Sequence, residues 1–157
     1  YNARDEECVR FETGNPVVSV ETTSSGAVEE VGVDHKGRTV PYGADAFVLA
    51  PGGFVGKGLD SDRNGVHEPL FDLHIQQPTD RYEWFVDDVF GDQPYARFGV
   101  QPDERTRPLD GDGNVQYSNV FAAGAVIGGA DVAREKSASG VSLATGLVAG
   151  QQAVQEV

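Results

Sequence analysis

NVFAAGAVIGG (residues 119–129) runs from a short apolar segment directly into small residues and glycines. AFVLAPGG (residues 46–53) has the same form earlier in the chain. Short, continuous apolar runs are typical of strands that are buried on both faces, as in a parallel sheet. We therefore predict an α/β fold with two parallel strands, each of which ends directly in a glycine turn.

A helix is predicted for SASGVSLATGLVAGQQAVQEV (residues 137–157), which follows the second glycine turn. Ser137 or Ser139 is expected to cap it, because a hydroxyl oxygen accepts hydrogen bonds from the first N–H groups of a helix. Gly140, Gly146 and Gly150 lie along the segment. Because glycine lowers helix stability, these positions predict a close approach of the helix to a sheet or a ligand.

The rest of the chain has two different patterns. Residues 17–23 and 27–34 alternate apolar and polar side chains around a turn, which predicts a β-hairpin. Residues 59–112 are rich in Asp, Pro, Gly and aromatic residues, and within them DRYEWFVDDVF (residues 80–90) is predicted as a short helix. Its apolar side would carry Tyr82, Phe85, Val86 and Val89. We expect a β-rich part (residues 1–58), a cap or insertion (59–112) and a C-terminal strand and helix (113–157).

The composition excludes several classes of partner. The 157 residues include 25 acidic and 12 basic side chains, for a net charge of -13. Such a surface repels nucleic acid and anionic membranes, and no apolar stretch approaches the roughly 18 residues of a membrane-spanning helix. Cys8 is the single cysteine, which excludes a disulfide framework or a cysteine-rich metal site. We expect Cys8 to be a buried, unreactive thiol.

Two further features concern the origin of the chain. Nine of the 12 basic residues are Arg, and an acid-rich, Lys-poor surface suits high salt, where counterions screen repulsion. We favour salt adaptation over an ordinary acidic protein. The sequence contains no Met, and we expect it to be a piece of a longer chain.

Three stretches together carry a family resemblance: VLAPGGFVGKGLDSDRNGVHEPLFDL (residues 48–73), FGVQPDERTRP (98–108) and NVFAAGAVIGGADVAREKSASGVSLATG (119–146). They resemble the B subunits of anaerobic glycerol-3-phosphate dehydrogenases, which are similar in outline to fumarate reductase-type flavoproteins. The resemblance implies the C-terminal part of a longer subunit. It also implies part of a three-layer, Rossmann-type FAD/NAD(P)-binding-like fold, with the β-rich hairpin and the cap attached. The GxGxxG fingerprint of such folds is absent from this chain.

The resemblance implies an electron-transfer function. The family oxidises sn-glycerol 3-phosphate to dihydroxyacetone phosphate and passes the electrons to membrane quinone. The B subunit is expected to hold FMN, with FAD as the alternative, and to act with the A subunit and the iron–sulfur C subunit. The implied location is cytoplasmic, at the inner face of the cell membrane through the complex and without insertion of this chain. The isolated piece is expected to be inactive and to bind flavin weakly or not at all.

The candidate site combines the glycine turns with the start of the helix. A glycine lets a cofactor approach the backbone, and a helix N-terminus favours negative charge, although each feature alone also fits an ordinary turn or cap. The resemblance implies that ten residues line the flavin pocket: Gly52, Gly53, Gly124, Ala125, Gly128, Gly129, Ser139, Gly140, Val141 and Ser142. No catalytic hydride-transfer residue is assigned.

Two alternatives remain open from the sequence. The first is another flavin dehydrogenase of the fumarate reductase type that acts on its own substrate, with His67, Arg97 or Arg105 as its catalytic residue. The second is a non-catalytic assembly subunit with a degenerate flavin fold. Ala125 favours the second, because fumarate reductase flavoproteins usually carry an acidic residue at this position.

Overall fold

The computed structural model describes residues 9–156, so the expectation for Cys8 lies outside the described residues. The first element is an antiparallel meander of β1 (Val17–Thr22), β2 (Val28–Asp34) and β3 (Thr39–Gly43). The hairpin predicted for residues 17–34 is therefore confirmed. Val28 and Val33 of β2 are buried, whereas the β1 residues Val17 and Val18 are exposed.

Six short strands and one α-helix follow the meander. They are β4 (Phe47–Leu49), β5 (Asp60–Ser61), β6 (Val66–His67), β7 (Ile75–Gln76), β8 (Gly99–Val100), β9 (Val120–Ala122) and α1 (Ala138–Val154). The strands β5 and β6 pair antiparallel with each other, as do β7 and β8. The α/β class expected from the sequence is thus observed.

The predicted parallel pair is formed by β4 and β9. Phe47 lies opposite Val120 and Leu49 opposite Ala122. Because side chains alternate along a strand, Val120 and Ala122 enter the main core while Phe121 and Ala123 face α1. Burial on both faces is confirmed for β9, whose three residues are fully buried.

The prediction that both faces are buried is wrong for the middle residue of β4. Val48 lies opposite Phe121 and therefore points to the α1 side of the sheet. It is 47% exposed, because α1 does not cover this side chain. The helix-side face of the parallel pair is only partly covered within residues 9–156.

The helix α1 (Ala138–Val154) agrees with the helix predicted for residues 137–157. Ser137 occupies the N-cap position, which confirms one of the two predicted cap residues, although its side chain makes no capping hydrogen bond. A Cβ placed on Gly140, Gly146 or Gly150 meets nothing within 4 Å in the described part of the chain. The expected close approach of these glycines to the sheet is therefore wrong.

The short helix predicted for residues 80–90 is also wrong. A single 3-10 turn spans Arg81–Glu83, and a second spans Pro94–Arg97. The Asp80 carboxylate accepts a hydrogen bond from the Tyr82 N–H at 2.9 Å, and the Trp84 indole N–H donates to the Pro78 carbonyl at 2.9 Å. These side-chain bonds replace helical ones. The four side chains expected on one buried side are exposed instead: Tyr82, Phe85, Val86 and Val89.

One core joins the three expected parts of the chain. Its buried members come from residues 1–58, from residues 59–112 and from the C-terminal part: Val28, Leu49, Leu59, Val66, Phe71, Leu73, Ile75, Phe98, Val100, Val120, Ala122 and Val126. No helix in the described part of the chain is long and apolar enough to cross a membrane. The division into three parts remains a prediction.

A buried amide connects the meander to the parallel pair. The Asn119 Oδ1 accepts a hydrogen bond from the Val28 N–H at 2.8 Å. Its Nδ2 donates to the Val28 carbonyl at 2.8 Å and to the Asp45 carbonyl at 3.1 Å. Asn119 thereby fixes β2 next to the start of β9, and with it the turn that follows β9.

Candidate functional site

The two glycine turns meet at one edge of the parallel pair. Gly52, directly after β4, has a φ of +86°, which L side chains rarely adopt. A Cβ on Gly53 would lie 2.9 Å from the carbonyl oxygen of Ala125. Only glycine allows this approach without a shift of the backbone. The carboxyl ends of β4 and β9 are therefore in contact through Gly53 and Ala125, where ligands bind in open α/β sheets.

The second turn also contacts α1. Gly124, after β9, has a φ of +75°, and its N–H donates to the Thr145 hydroxyl at 2.8 Å. A Cβ at Gly124 would lie 3.7 Å from the Ser142 hydroxyl oxygen. The Thr145 hydroxyl in turn donates to the Val141 carbonyl at 2.6 Å. Thr145 thus holds the first turns of the helix against the glycine turn, a role that the sequence did not indicate.

The start of α1 is open to a ligand. Ser139, Gly140 and Ser142 are exposed, whereas Val141 is half-buried. Ser137 provides no side-chain cap, so the first N–H groups lack this common partner. They carry the partial positive charge of the helix dipole. An electron-rich ring edge or a phosphate is the type of group that such donors favour.

Two predicted site residues serve a different contact. The Gly128 N–H donates to the Val100 carbonyl at 3.0 Å, and the Gly129 N–H donates to the Arg97 carbonyl at 2.9 Å. A Cβ on Gly128 would lie 2.8 Å from the Arg97 carbonyl oxygen. These glycines bring the second turn against β8. Within the second turn, Ala125 is the residue that approaches Gly53, and Gly124 is the residue that lies next to Ser142.

The three candidate catalytic residues of the first alternative all have partners. The His67 Nε2 lies 3.1 Å from Asp62, and the Arg97 guanidinium donates to Asp92 at 2.8 Å. This hydrogen bond from Arg97 lowers the pKa of the Asp92 carboxyl. Arg105 binds the far end of α1, with its Nε 2.7 Å from the Gln152 amide oxygen. Arg105 therefore anchors the helix and lies away from the glycine turns.

An apolar groove lies next to the first glycine turn. Its volume is about 400 Å³, and its main lining residues are Phe54, Trp84, Phe85, Tyr95 and Phe98. Trp84 and Phe98 pack edge to face, with ring centroids 5.9 Å apart. The groove was not predictable from the sequence, because its side chains come from segments that are distant along the chain.

The described residues fit one part of a flavin. Gly53, Gly124 and Ala125 present backbone without bulky side chains, and the adjoining helix start offers N–H groups to an electron-rich ring edge. Comparison with known proteins supports a flavin as the cofactor. The family model of the FAD binding domain matches residues 4–141. This chain belongs to the FAD binding domain family.

Relatives of this FAD binding domain protein carry a more specific name. Over all 157 residues the chain is 52% identical to the probable B subunit of the anaerobic glycerol-3-phosphate dehydrogenase of Halobacterium salinarum, of which it covers 36%. It is 37% identical over 118 residues, 75% of this chain, to the B subunit of the Yersinia pseudotuberculosis enzyme, of which it covers 27%. It is 35% identical over 134 residues, 85% of this chain, to the B subunit from Pectobacterium carotovorum, of which it covers 31%.

The chain spans about a third of the length of the curated relatives that it matches, as the 36% coverage of the Halobacterium protein shows. No solved structure matches it significantly. The expected flavoprotein outline and the resemblance to the dehydrogenase B subunits are confirmed by the family match and by the relatives. A flavin cofactor is supported, and the family description names FAD rather than FMN.

Proposed function

We propose that this chain is the C-terminal part of a flavin-carrying B subunit of an anaerobic glycerol-3-phosphate dehydrogenase. The observation that carries this proposal is the contact of Gly53 with Ala125 beside the start of α1, which brings both glycine turns and a helix N-terminus to one place. A single turn or a single cap has an ordinary structural explanation. Their convergence at the carboxyl ends of parallel strands favours a bound cofactor.

In this proposal the ten candidate residues form one wall of the flavin pocket. Gly53, Gly124 and Ala125 give the ring access to the backbone, while Ser139 and Gly140 offer N–H groups. Gly52 and Gly129 shape the two turns through their positive φ values. The remaining three residues, Val141, Ser142 and Gly128, position these groups by packing. The flavin, when bound, supplies the capacity to accept and release electrons.

The N–H groups at the start of α1 set the preference for the reduced ring. Reduction adds negative charge to the pyrimidine side of a flavin, and the positive end of a helix dipole stabilises that charge. Because no acidic side chain stands at Ala125, nothing at this position opposes the added charge. The chain's own contribution is therefore electrostatic and steric rather than the transfer of a proton.

The proposed reaction belongs to a complex. Electrons from the oxidation of sn-glycerol 3-phosphate to dihydroxyacetone phosphate would pass through this flavin toward membrane quinone. The A and C subunits are the proposed partners, and the proposed location is the cytoplasmic face of the cell membrane, reached through the complex. This assignment rests on the names of the relatives and on the family resemblance of the sequence.

Two other functions are tested together with this one. A dehydrogenase with its own substrate would use His67, Arg97 or Arg105, and of these Arg97 lies nearest the second turn, since its carbonyl accepts the Gly129 N–H. An assembly subunit without flavin is the second, and Ala125 favours it. Replacement of Arg97 by Lys that abolishes turnover while flavin stays bound would support the first.

The test is an absorption spectrum of the full-length subunit, purified in high salt, followed by mass analysis of the released cofactor. We expect a bound flavin. The family description favours FAD, and the resemblance favours FMN, so the released mass decides between them. A protein that stays colourless after incubation with both flavins, yet still assembles with its partner subunits, would overturn the proposal in favour of an assembly role.

A further inference from the structure

The side of α1 that faces away from the sheet is apolar. Leu143, Leu147 and Val154 are 77%, 61% and 75% exposed, although the helix already packs on the sheet through its opposite side. With 100° per residue, these three positions and the two glycines Gly146 and Gly150 fall on one continuous strip. We call these five residues the outer face of α1. A helix that is apolar on two opposite sides is typical of a buried helix.

The glycines of the outer face are suited to contact with another helix. Gly146 and Gly150 are one turn apart, and a Cβ on either meets nothing within 4 Å in the described residues. Glycine lowers the stability of an exposed helix relative to Ala, and no contact within the described part of the chain compensates for this loss. Between Leu147 and Val154 they leave a shallow depression that a neighbouring helix fills at short interaxial distance.

The sheet beneath α1 is also incompletely covered. Val48 points to the same side as α1 and is 47% exposed. The β4–β9 sheet has only two strands within the described residues, whereas parallel sheets are normally larger and covered on both faces. Additional parallel strands arrive through crossover connections, which are usually helices packed on the sheet. Within residues 9–156, α1 is the only α-helix available for this purpose.

We propose that the outer face of α1 is an intrasubunit interface, occupied by an apolar helix from the part of the same subunit that lies outside these 157 residues. The Halobacterium salinarum relative is matched over all 157 residues, and they make up 36% of its length. In a protein of that size, the remaining part is nearly twice as long as this chain and can supply the helix. The interface does not require flavin, so it stands apart from the proposed cofactor site.

The test is thiol accessibility in the full-length subunit. Gly150→Cys places a thiol in the centre of the outer face, and Ala144→Cys places one on an exposed flank of the same helix as the control. Labelling by a maleimide is followed by mass analysis of the labelled peptides, which separates the introduced thiols from Cys8. We expect the thiol at position 150 to react more slowly than the control, on the order of tenfold, because a covered thiol reacts only upon local opening.

Each other result is decisive. Equal rates at the two positions overturn the interface. Protection that appears only with the partner subunits assigns the face to another chain, and protection that disappears upon dilution assigns it to a second copy; both overturn the proposal. Protection that persists in flavin-free protein supports the interface even if the proposed cofactor site fails. If Gly150→Cys does not fold, Leu147→Cys probes the neighbouring position on the same face with a side chain closer in character to the original.

A second measurement is the change in Tm caused by Gly150→Leu, which has opposite signs for an exposed and for a covered outer face. If the outer face is exposed in the full-length subunit, Gly150→Leu raises Tm, because Leu favours the helix and meets no neighbour. If a helix packs there, the same change lowers Tm through overpacking. Ala144→Leu adds a leucine on the exposed flank and is expected to leave Tm nearly unchanged. A raised Tm for Gly150→Leu overturns the proposal.

Discussion

At the scale of single residues, the backbone of Gly53 is the most sensitive part of the candidate site. A side chain there meets the Ala125 carbonyl oxygen at 2.9 Å and forces the two glycine turns apart. We expect Gly53→Val to cost about 1–3 kcal/mol, which corresponds to roughly fivefold to 150-fold weaker flavin binding. Flavin retained per subunit, measured by absorption on the full-length protein, checks this.

Gly43→Val is the matched control for this substitution. Gly43 lies in β3, and a Cβ there is 3.5 Å from the Glu29 carbonyl oxygen, an ordinary contact. Valine also favours strands. The control is therefore expected to keep its flavin. Equal flavin contents in the two variants would mean that the meeting of the two turns does not shape the pocket.

Asp62 makes a second residue-scale prediction, which concerns pH. Its carboxylate accepts hydrogen bonds from the Asn64 N–H at 2.7 Å and the Gly65 N–H at 3.1 Å, and it lies 3.1 Å from the His67 ring. These bonds, led by that of Asn64, lower the pKa of Asp62 from 3.8 to about 2. A lowered pKa in the folded state stabilises the fold above pH 3.8, and this contribution is lost as the pH falls through about 2.

Asp62→Asn tests this dependence. The variant is expected to be less stable than the unmodified chain at pH 5, and the difference is expected to shrink toward pH 2, as the unmodified carboxylate also loses its charge. Denaturant unfolding at several pH values in constant salt gives the two curves. A stability difference that stays constant from pH 5 to pH 2 would show that the carboxylate charge is unimportant there.

At the scale of elements, Asn119 connects two sheets that no local pattern joins. Asn119→Ala leaves the N–H and the carbonyl of Val28 without this partner in a buried region. Because an unsatisfied buried polar group costs about 1–3 kcal/mol, we expect a loss of about 2–4 kcal/mol in the free energy of unfolding. Asn114→Ala, in an exposed turn, is the control and is expected to cost little. Similar losses in both variants would contradict the assigned role.

The elements differ in how well the sequence predicted them. The hairpin and the parallel pair were predictable, because alternating and continuous apolar runs each reflect how many faces of a strand are buried. The conformation of residues 80–90 was not predictable, because the Gln93 side chain competes with helical hydrogen bonds for the backbone groups of this segment. Its amide oxygen accepts a hydrogen bond from the Val86 N–H at 3.1 Å, and its Nε2 donates to the Asp88 carbonyl at 2.8 Å. Apolar spacing alone cannot reveal such a competition.

At the scale of the whole molecule, the candidate site was predictable in part. The glycines after β4 and β9 were identified from the sequence, but the contact between Gly53 and Ala125 depends on the parallel register of strands about 70 residues apart. The same holds for Thr145, which bonds Gly124. Gly128 was predicted to line the flavin pocket, but its close contact is with the Arg97–Gly99 backbone. A glycine motif identifies a place of close approach, and the fold determines what approaches.

The net charge of -13 leads to the last prediction, which concerns salt. Repulsion among acidic side chains opposes folding, and the screening length falls from about 10 Å at 0.1 M salt to about 3 Å at 1 M. We expect the Tm to rise by about 5–10 °C between 0.1 and 1 M KCl.

Three exposed acids, Glu29, Asp87 and Glu104, are suitable for a charge-reduced control, in which they become Gln, Asn and Gln. The net charge then changes from -13 to -10. The control is expected to have a higher Tm at 0.1 M KCl and a smaller rise with salt. If the unmodified chain and the control respond equally to KCl, general salting-out rather than charge screening stabilises the fold.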